Sequence, residues 1–201
     1  MASKKLRLLL VGIGNMPLPA TRHSIGHYIL DSIAFRLGMT LQRNNDLDGN
    51  IASKDVTIDD EDANLTLFKP APLMNVLGRS VARTLRATVQ EPSHLIVLQD
   101  CMNLQPGTMR HRAGGQPDGH RGIRSIVKNV SSGQPDRANT PFHRLQIGIG
   151  RAGDAPTYVL GPLSAFEKEY WSANGEGVDQ VWHHIEKIAR KQRALLEPVE
   201  P

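Results

Sequence analysis

The residues most able to do chemistry are His23, in the stretch TRHSIG (21–26), and Asp100, in LQDCMN (98–103). A neutral imidazole takes a proton from water near pH 7. A carboxylate on its other nitrogen fixes the tautomer and stabilises the charged ring. Spacing alone leaves a plainer alternative open, with His23 at a helix start and Asp100 in a loop. Asn15 and Asn75 form a second pair. A side-chain amide offers two donors and one acceptor, so two of them near a histidine suit an acyl substrate and its oxyanion. Asparagines in such places also serve as turn and cap residues, and Met74 beside Asn75 is equally suited to filling core.

A third constellation is basic: Arg110, Arg112, His120, Arg121, Arg124 and Lys128 around a glycine-rich stretch, with Arg144 further on. On one face these would bind phosphates; as a solvated surface they would bind nothing. Other chemistries fit less well. Gly12-x-Gly14 lacks the third glycine of a dinucleotide fingerprint, since position 17 is Pro. There is no Gly-Lys-Ser/Thr phosphate loop and no Gly-x-Ser-x-Gly elbow. Cys101 adjoins Asp100, which disfavours a thiolate. Direct attack by water is the better fit.

The elements that would carry these residues alternate between strand and helix. Leu6–Val11 is a nearly continuous apolar run, as in a buried strand. Ile25, Ile29, Ile33 and Leu37 recur every four residues, so the pattern predicts a helix over 24–37, closed by Gly38. Positions 44–62 are polar and acid-rich and predict a short edge strand. Asn64–Phe68 alternates as a strand, a helix follows over 74–87, and His94–Leu98 is a third buried strand. Thr108–Arg112 is a further strand, and a helix runs through Ile123, Ile126 and Val127. Ser131–Pro141 is a polar loop, and Leu145–Ile149 is another strand. From Leu163 onward the pattern is helical, interrupted near Gly175–Gly177. This order predicts an α/β domain, one mixed twisted sheet flanked by helices on both faces, spanning 1–196, with a short tail at 197–201. In such sheets ligands sit beyond the carboxyl ends of the strands, where Asn15, Asp100 and the loop before His120 fall.

Composition is that of an ordinary globular chain: 201 residues, 39% hydrophobic, 22% charged. One cysteine excludes an internal disulfide and a multi-cysteine zinc site. A net charge of +4 with many arginines suits a polyanionic partner. At 4% aromatic content the chain does not supply a stacking platform for single strands. No apolar run approaches the roughly 20 residues of a membrane span.

VGIGN (11–15), TRHSIG (21–26), LMNVLGRSVAR (73–83), the Asp of LQDCMN (98–103), GHRGI (119–123) and FHRLQIGIGR (142–151) stand in one order and spacing. Together they resemble the bacterial-type peptidyl-tRNA hydrolase family, from about Leu8 to Leu163. The short loop before TRHS, and Ser24, look like its eukaryotic branch. The resemblance implies a metal- and cofactor-independent hydrolase of the ester between a peptide and the tRNA 3′ end. It implies His23 as the base and Asp100 as the acid that orients it. Asn15, Met74, Asn75, His120 and Arg121 would bind substrate, and Arg110, Arg112 and Arg144 the tRNA phosphates. It further implies a monomer, tRNA as partner, association with ribosomes, and a cytoplasmic or mitochondrial setting.

Three departures alter the rim of that site. The family's Gly-His-Asn-Gly is Gly119-His120-Arg121-Gly122 here; its His-Asp-Glu-Leu-Asp is Gln99-Asp100-Cys101-Met102-Asn103; its Gly-Asn-Pro-Gly turn is Gly14-Asn15-Met16-Pro17. Arginine is longer than asparagine, always charged, and accepts no hydrogen bond. The alternative expectation is therefore a catalytically weak relative that binds RNA or a ribonucleoprotein, against which stands the retained His23 and Asp100.

Overall fold

A computed structural model describes residues 5–114, 116–131 and 141–196. Seven strands form one sheet in the order β2-β3-β4-β1-β5-β7-β6. The strands are β1 (Leu6–Gly12), β2 (Gln42–Asn44), β3 (Gly49–Ile58), β4 (Glu61–Pro70), β5 (Leu95–Cys101), β6 (Met109–Ala113) and β7 (His143–Gly148). The central four, β4, β1, β5 and β7, are parallel, and the flanking pairs β2–β3, β3–β4 and β6–β7 are antiparallel. The expected mixed sheet with helices on both faces is what the structure contains.

The apolar run of β1 is buried on both sides because alternate side chains feed two cores. Leu8 and Leu10 pack with Ile25, Ile29 and Ile33 of α1 (Ile25–Arg36) and with Val181 and Ile185 of α6 (Glu176–Leu196). Leu9 and Val11 pack with Val81 and Leu85 of α2 (Gly78–Ala87) and with Ile123 and Ile126 of α3 (Arg121–Val130). Two short helices, α4 (Ala155–Leu160) and α5 (Ala165–Tyr170), precede α6, and the break near Gly175 lies between α5 and α6.

Two expectations are corrected, and one helix is added. Positions 44–62 hold more than a short edge strand: β3 is ten residues long and pairs along its whole length with an equally long β4. The edge strand is the three-residue β2. The hairpin turns at Asp59 and Asp60, both at positive φ (55° and 61°), the conformation that a tight two-residue hairpin requires. No glycine marks it, so the turn is silent in the sequence. The second helix begins at Gly78, because Met74–Leu77 form a turn before it. The added helix is α4, which no hydrophobic pattern marks; Asp154 starts it by accepting from Thr157 N at 3.1 Å. Most of the Ser131–Pro141 loop and the tail at 197–201 lie outside the described residues. Among the described residues no helix is long and apolar enough to cross a membrane.

Candidate active site

The glycines after β1 make room for a helix. A Cβ on Gly12 would lie 2.2 Å from Gly26 O, and one on Gly14 would lie 2.7 Å from His27 Nδ1. Their absence lets the first turn of α1 sit against the end of the strand. That close approach brings the 3-10 turn Arg22–Ser24 beside Asn15. Ser24 Oγ accepts from Asn15 N at 3.0 Å and donates to Leu18 O at 2.8 Å, while Thr21 Oγ1 donates to Leu18 O at 3.0 Å. Behind the turn, Arg22 N donates to Gly161 O at 3.0 Å. The Arg22 guanidinium lies 4.5 Å from the centroid of the Tyr158 ring and 3.5 Å from the buried Glu167 carboxylate. The C-terminal segment thus clamps the turn that carries His23.

His23 and Asp100 are in contact. His23 Nδ1 lies 2.9 Å from Asp100 Oδ1 and 3.1 Å from Oδ2. Asp100 projects from the end of β5 and is 4% exposed, while the His23 side chain is 16% exposed. Burial, and more weakly the charge of Arg121, work against a protonated His23; the hydrogen bond and charge of Asp100 outweigh them and raise its pKa. Burial likewise opposes the Asp100 anion, but His120 and His23 together hold its pKa well below the usual carboxylate range. Asp100 is therefore ionised, and His23 directs its Nδ1 proton at it. His23 Nε2 carries the lone pair and has no protein partner among the described residues.

His120, expected in the substrate-binding set, has both ring nitrogens committed within the protein. Its Nδ1 accepts from Gly122 N at 3.1 Å and Ile123 N at 3.4 Å, capping α3. The proton must then sit on Nε2, which donates to Asp100 Oδ1 at 2.9 Å. The rings of His23 and His120 lie 5.3 Å apart. The helix cap and the His120–Asp100 bond were missed in the sequence. The signal was a histidine immediately before a helix that has no Ser, Thr, Asp or Asn to cap it.

Asn15 is buried, and its Oδ1 accepts from Met74 N at 2.8 Å. That bond fixes the amide's orientation and leaves Nδ2 as the donor with no protein partner among the described residues. Met74 is buried, with its sulfur against Gly122, whereas Asn75 next to it is exposed. Arg121 is the first residue of α3 and is exposed, near enough to His23 for its charge to be felt. The phosphate candidates divide. Arg110 and Arg112 are exposed on β6, Arg110 donating to Gln146 Oε1 at 2.9 Å and Arg112 lying 3.8 Å from Asp118. Arg144 is fully buried on β7 and donates to Gln116 O at 3.0 Å, so its guanidinium stands behind the surface that Arg110 and Arg112 present.

Among the described residues, His23, Asp100 and His120 are the one group whose atoms are spaced to hold a metal ion. The protonation pattern does not fit one. The nitrogens facing the carboxylate are the proton-bearing ones, and moving the His120 proton to Nδ1 would break the cap of α3. What the arrangement can do is abstract a proton from a water at His23 Nε2, with the unpartnered amide donor of Asn15 beside the turn that carries the base.

The family model described as peptidyl-tRNA hydrolase matches residues 9–197. A peptidyl-tRNA hydrolase of Xanthomonas campestris pv. campestris is 34% identical over 174 residues, covering 85% of this chain and 84% of that protein. One from Paracoccus denitrificans is 35% identical over 179 residues, covering 88% of this chain and 69% of that one. Among solved structures, the complex of a peptidyl-tRNA hydrolase with N-propanol superposes with a TM-score of 0.76 at 26% identity. The match covers 94% of this chain and 91% of that one. The Acinetobacter baumannii enzyme superposes with a TM-score of 0.75, with the same identity and coverage.

Proposed function

Because the chain belongs to the peptidyl-tRNA hydrolase family, we propose that it cleaves the ester joining a peptide, or an N-blocked amino acid, to the 3′ end of tRNA. The observation that carries this reading is the bonded pair of His23 and an ionised Asp100, with His23 Nε2 free to take a proton. Water attacks the ester carbonyl as Nε2 accepts its proton. Asp100 stabilises the imidazolium that forms. Asn15 Nδ2 and the exposed amide of Asn75 hold the carbonyl and the oxyanion that develops on it. Collapse breaks the bond to the tRNA 3′ oxygen, which takes the proton from His23. The products are a free peptide carboxylate and a free tRNA.

Arg121, beside the base, and Arg110 and Arg112, on the exposed sheet edge, serve the phosphates of the tRNA. A pure RNA-binding role leaves the His23–Asp100 pair without a purpose, so the hydrolase is the reading we adopt. The eukaryotic-branch likeness rests on Ser24 and the short 16–20 loop. The monomeric state, the association with ribosomes and the cytoplasmic or mitochondrial setting rest on the resemblance.

The test is release of a labelled N-blocked aminoacyl group from tRNA by the purified protein. Release should fall by about 10²–10⁴-fold or more in His23→Ala. Release that persists undiminished in that variant overturns the assignment of the base. No release by the unaltered protein, with salt-sensitive tRNA binding retained, would restore the binding role.

A further inference from the structure

Positive charge is concentrated on one face of the sheet. α2 exposes Arg79, Arg83 and Arg86, and α3 exposes Arg121, Arg124 and Lys128. Neither helix contains a single acidic residue, and the chain as a whole nets only +4, so the remainder is net negative. The spacings i, i+4, i+7 in α2 and i, i+3, i+7 in α3 put each trio on one stripe of its helix. A face that merely keeps a protein in water mixes both signs, commonly as i, i+4 ion pairs. Here no carboxylate lies within 4 Å of any of the six among the described residues. The cations on the other side of the sheet behave differently: Arg36 pairs with Asp179, Arg190 with Asp59, and Arg193 with Glu61.

Two further features separate these stripes from ordinary solvated surface. Each helix places an arginine in its first turn, Arg79 in α2 and Arg121 in α3. The helix dipole favours anions there and disfavours cations, so fold stability does not select these residues. The two helices are also in close contact. A Cβ on Gly78 would lie 2.0 Å from Ser125 O, and Gly78 N donates to Ser125 Oγ at 2.9 Å. Their outer faces therefore adjoin, and the band joins Arg121, whose charge is felt at His23, to the exposed arginines of α2. Of the α2 trio only Arg83 has a protein partner among the described residues, the carbonyl of Asp46.

We propose that the outer face of α2, joined to that of α3, is a second backbone-binding surface for the tRNA, holding phosphates of its double-helical arm while the 3′ end lies at His23. This rests on the hydrolase reading and extends it to Arg79, Arg83 and Arg86. Guanidinium forks suit phosphate oxygens, and two adjoining helices that expose cations and carry no acids are complementary to a polyanion.

The experiment measures binding of deacylated full-length tRNA and of a short single-stranded oligonucleotide ending in CCA, each over a range of salt concentrations. The unaltered protein is compared with Arg79→Gln/Arg83→Gln/Arg86→Gln. Because Arg83 also holds Asp46, the double variant Arg79→Gln/Arg86→Gln is measured as well. For full-length tRNA, the slope of log affinity against log salt should fall by about two to three in the triple variant and about one to two in the double. Affinity for the oligonucleotide should stay where it was. An unchanged slope for full-length tRNA in both variants overturns the proposal, as does an equal loss for both ligands. Absence of salt-dependent tRNA binding by the unaltered protein overturns the proposal together with the reading beneath it.

Discussion

His23 and His120 donate to the same carboxylate oxygen, Asp100 Oδ1, each at 2.9 Å. The negative charge that stabilises a protonated His23 is therefore shared. Removing the His120 donor should leave Asp100 to His23 alone and raise the His23 pKa. Two substitutions separate this role from the helix cap. Glutamine places an amide donor near the position of Nε2 and gives up the acceptor near Nδ1. Asparagine keeps an acceptor that caps helices well and gives up the reach to Asp100. We expect the NMR titration of His23 to move upward in His120→Asn and to stay near the parent in His120→Gln, with turnover following the same order. A titration that is the same in all three proteins would make His120 a cap and nothing more.

Asn15 has two functions on one amide. Its Oδ1 satisfies the buried N–H of Met74 at 2.8 Å, and its Nδ2 is left for the substrate. Asn15→Ala removes both and leaves a buried donor unpaired, which costs roughly 1–3 kcal/mol of stability. Asn15→Asp keeps the acceptor and loses the donor. Urea unfolding should show the alanine variant destabilised by about that amount and the aspartate variant close to the parent, while both lose turnover. Full turnover in the aspartate variant would remove Nδ2 from the chemistry.

Arg121 is the exposed first residue of α3, near enough to His23 for its charge to be felt. Its charge works against protonation of His23, and a general base must be neutral to act. Arg121→Asn should therefore raise the His23 pKa and shift the acid limb of kcat/KM to higher pH. Activity near neutral pH would fall for that reason, apart from any loss of phosphate contact, which would appear in KM for tRNA. The pH profile of the variant against the parent decides it; an acid limb that moves downward contradicts the electrostatic account.

Much of this site is legible from residue order, because the strand ends that present Asn15 and Asp100 follow from nearly continuous apolar runs. Other parts are not, for physical reasons. The Gly12-x-Gly14 pair looks like a phosphate turn in one dimension, but its purpose is steric clearance for Gly26 and His27, which only the packed helix reveals. The β3–β4 hairpin is hidden by polar residues on a solvated sheet edge and by a turn made of two aspartates. Arg144 reads as a surface cation until β7 is seen to be buried throughout. The shared use of Asp100 depends on a tautomer fixed by backbone donors two and three residues past His120.

Away from the site, buried histidines set the acid limit of the fold. His143 accepts or donates a hydrogen bond with His111 at 3.0 Å on the face covered by α6, and His184 packs 5.9 Å from His111. Burial, then the neighbouring His111 and Lys191, push the His143 pKa down to about 4. Burial, then Lys69, push that of His27 down to about 3. Burial also lowers the pKa of His111 and His184. In the unfolded chain all four titrate near 6.5. Above that pH both states are neutral and nothing is lost. As pH falls below about 6.5 the unfolded chain takes up protons that the folded one refuses, so stability drops, and the drop continues to about 4 for His143 and about 3 for His27. For His143 alone the full loss is on the order of 3 kcal/mol. Urea unfolding between pH 7.5 and pH 5 should show this decline before most carboxylates titrate. His143→Asn should flatten the decline over that range, whatever its effect at pH 7.5. A decline as steep in the variant as in the parent would place the acid sensitivity elsewhere in the fold.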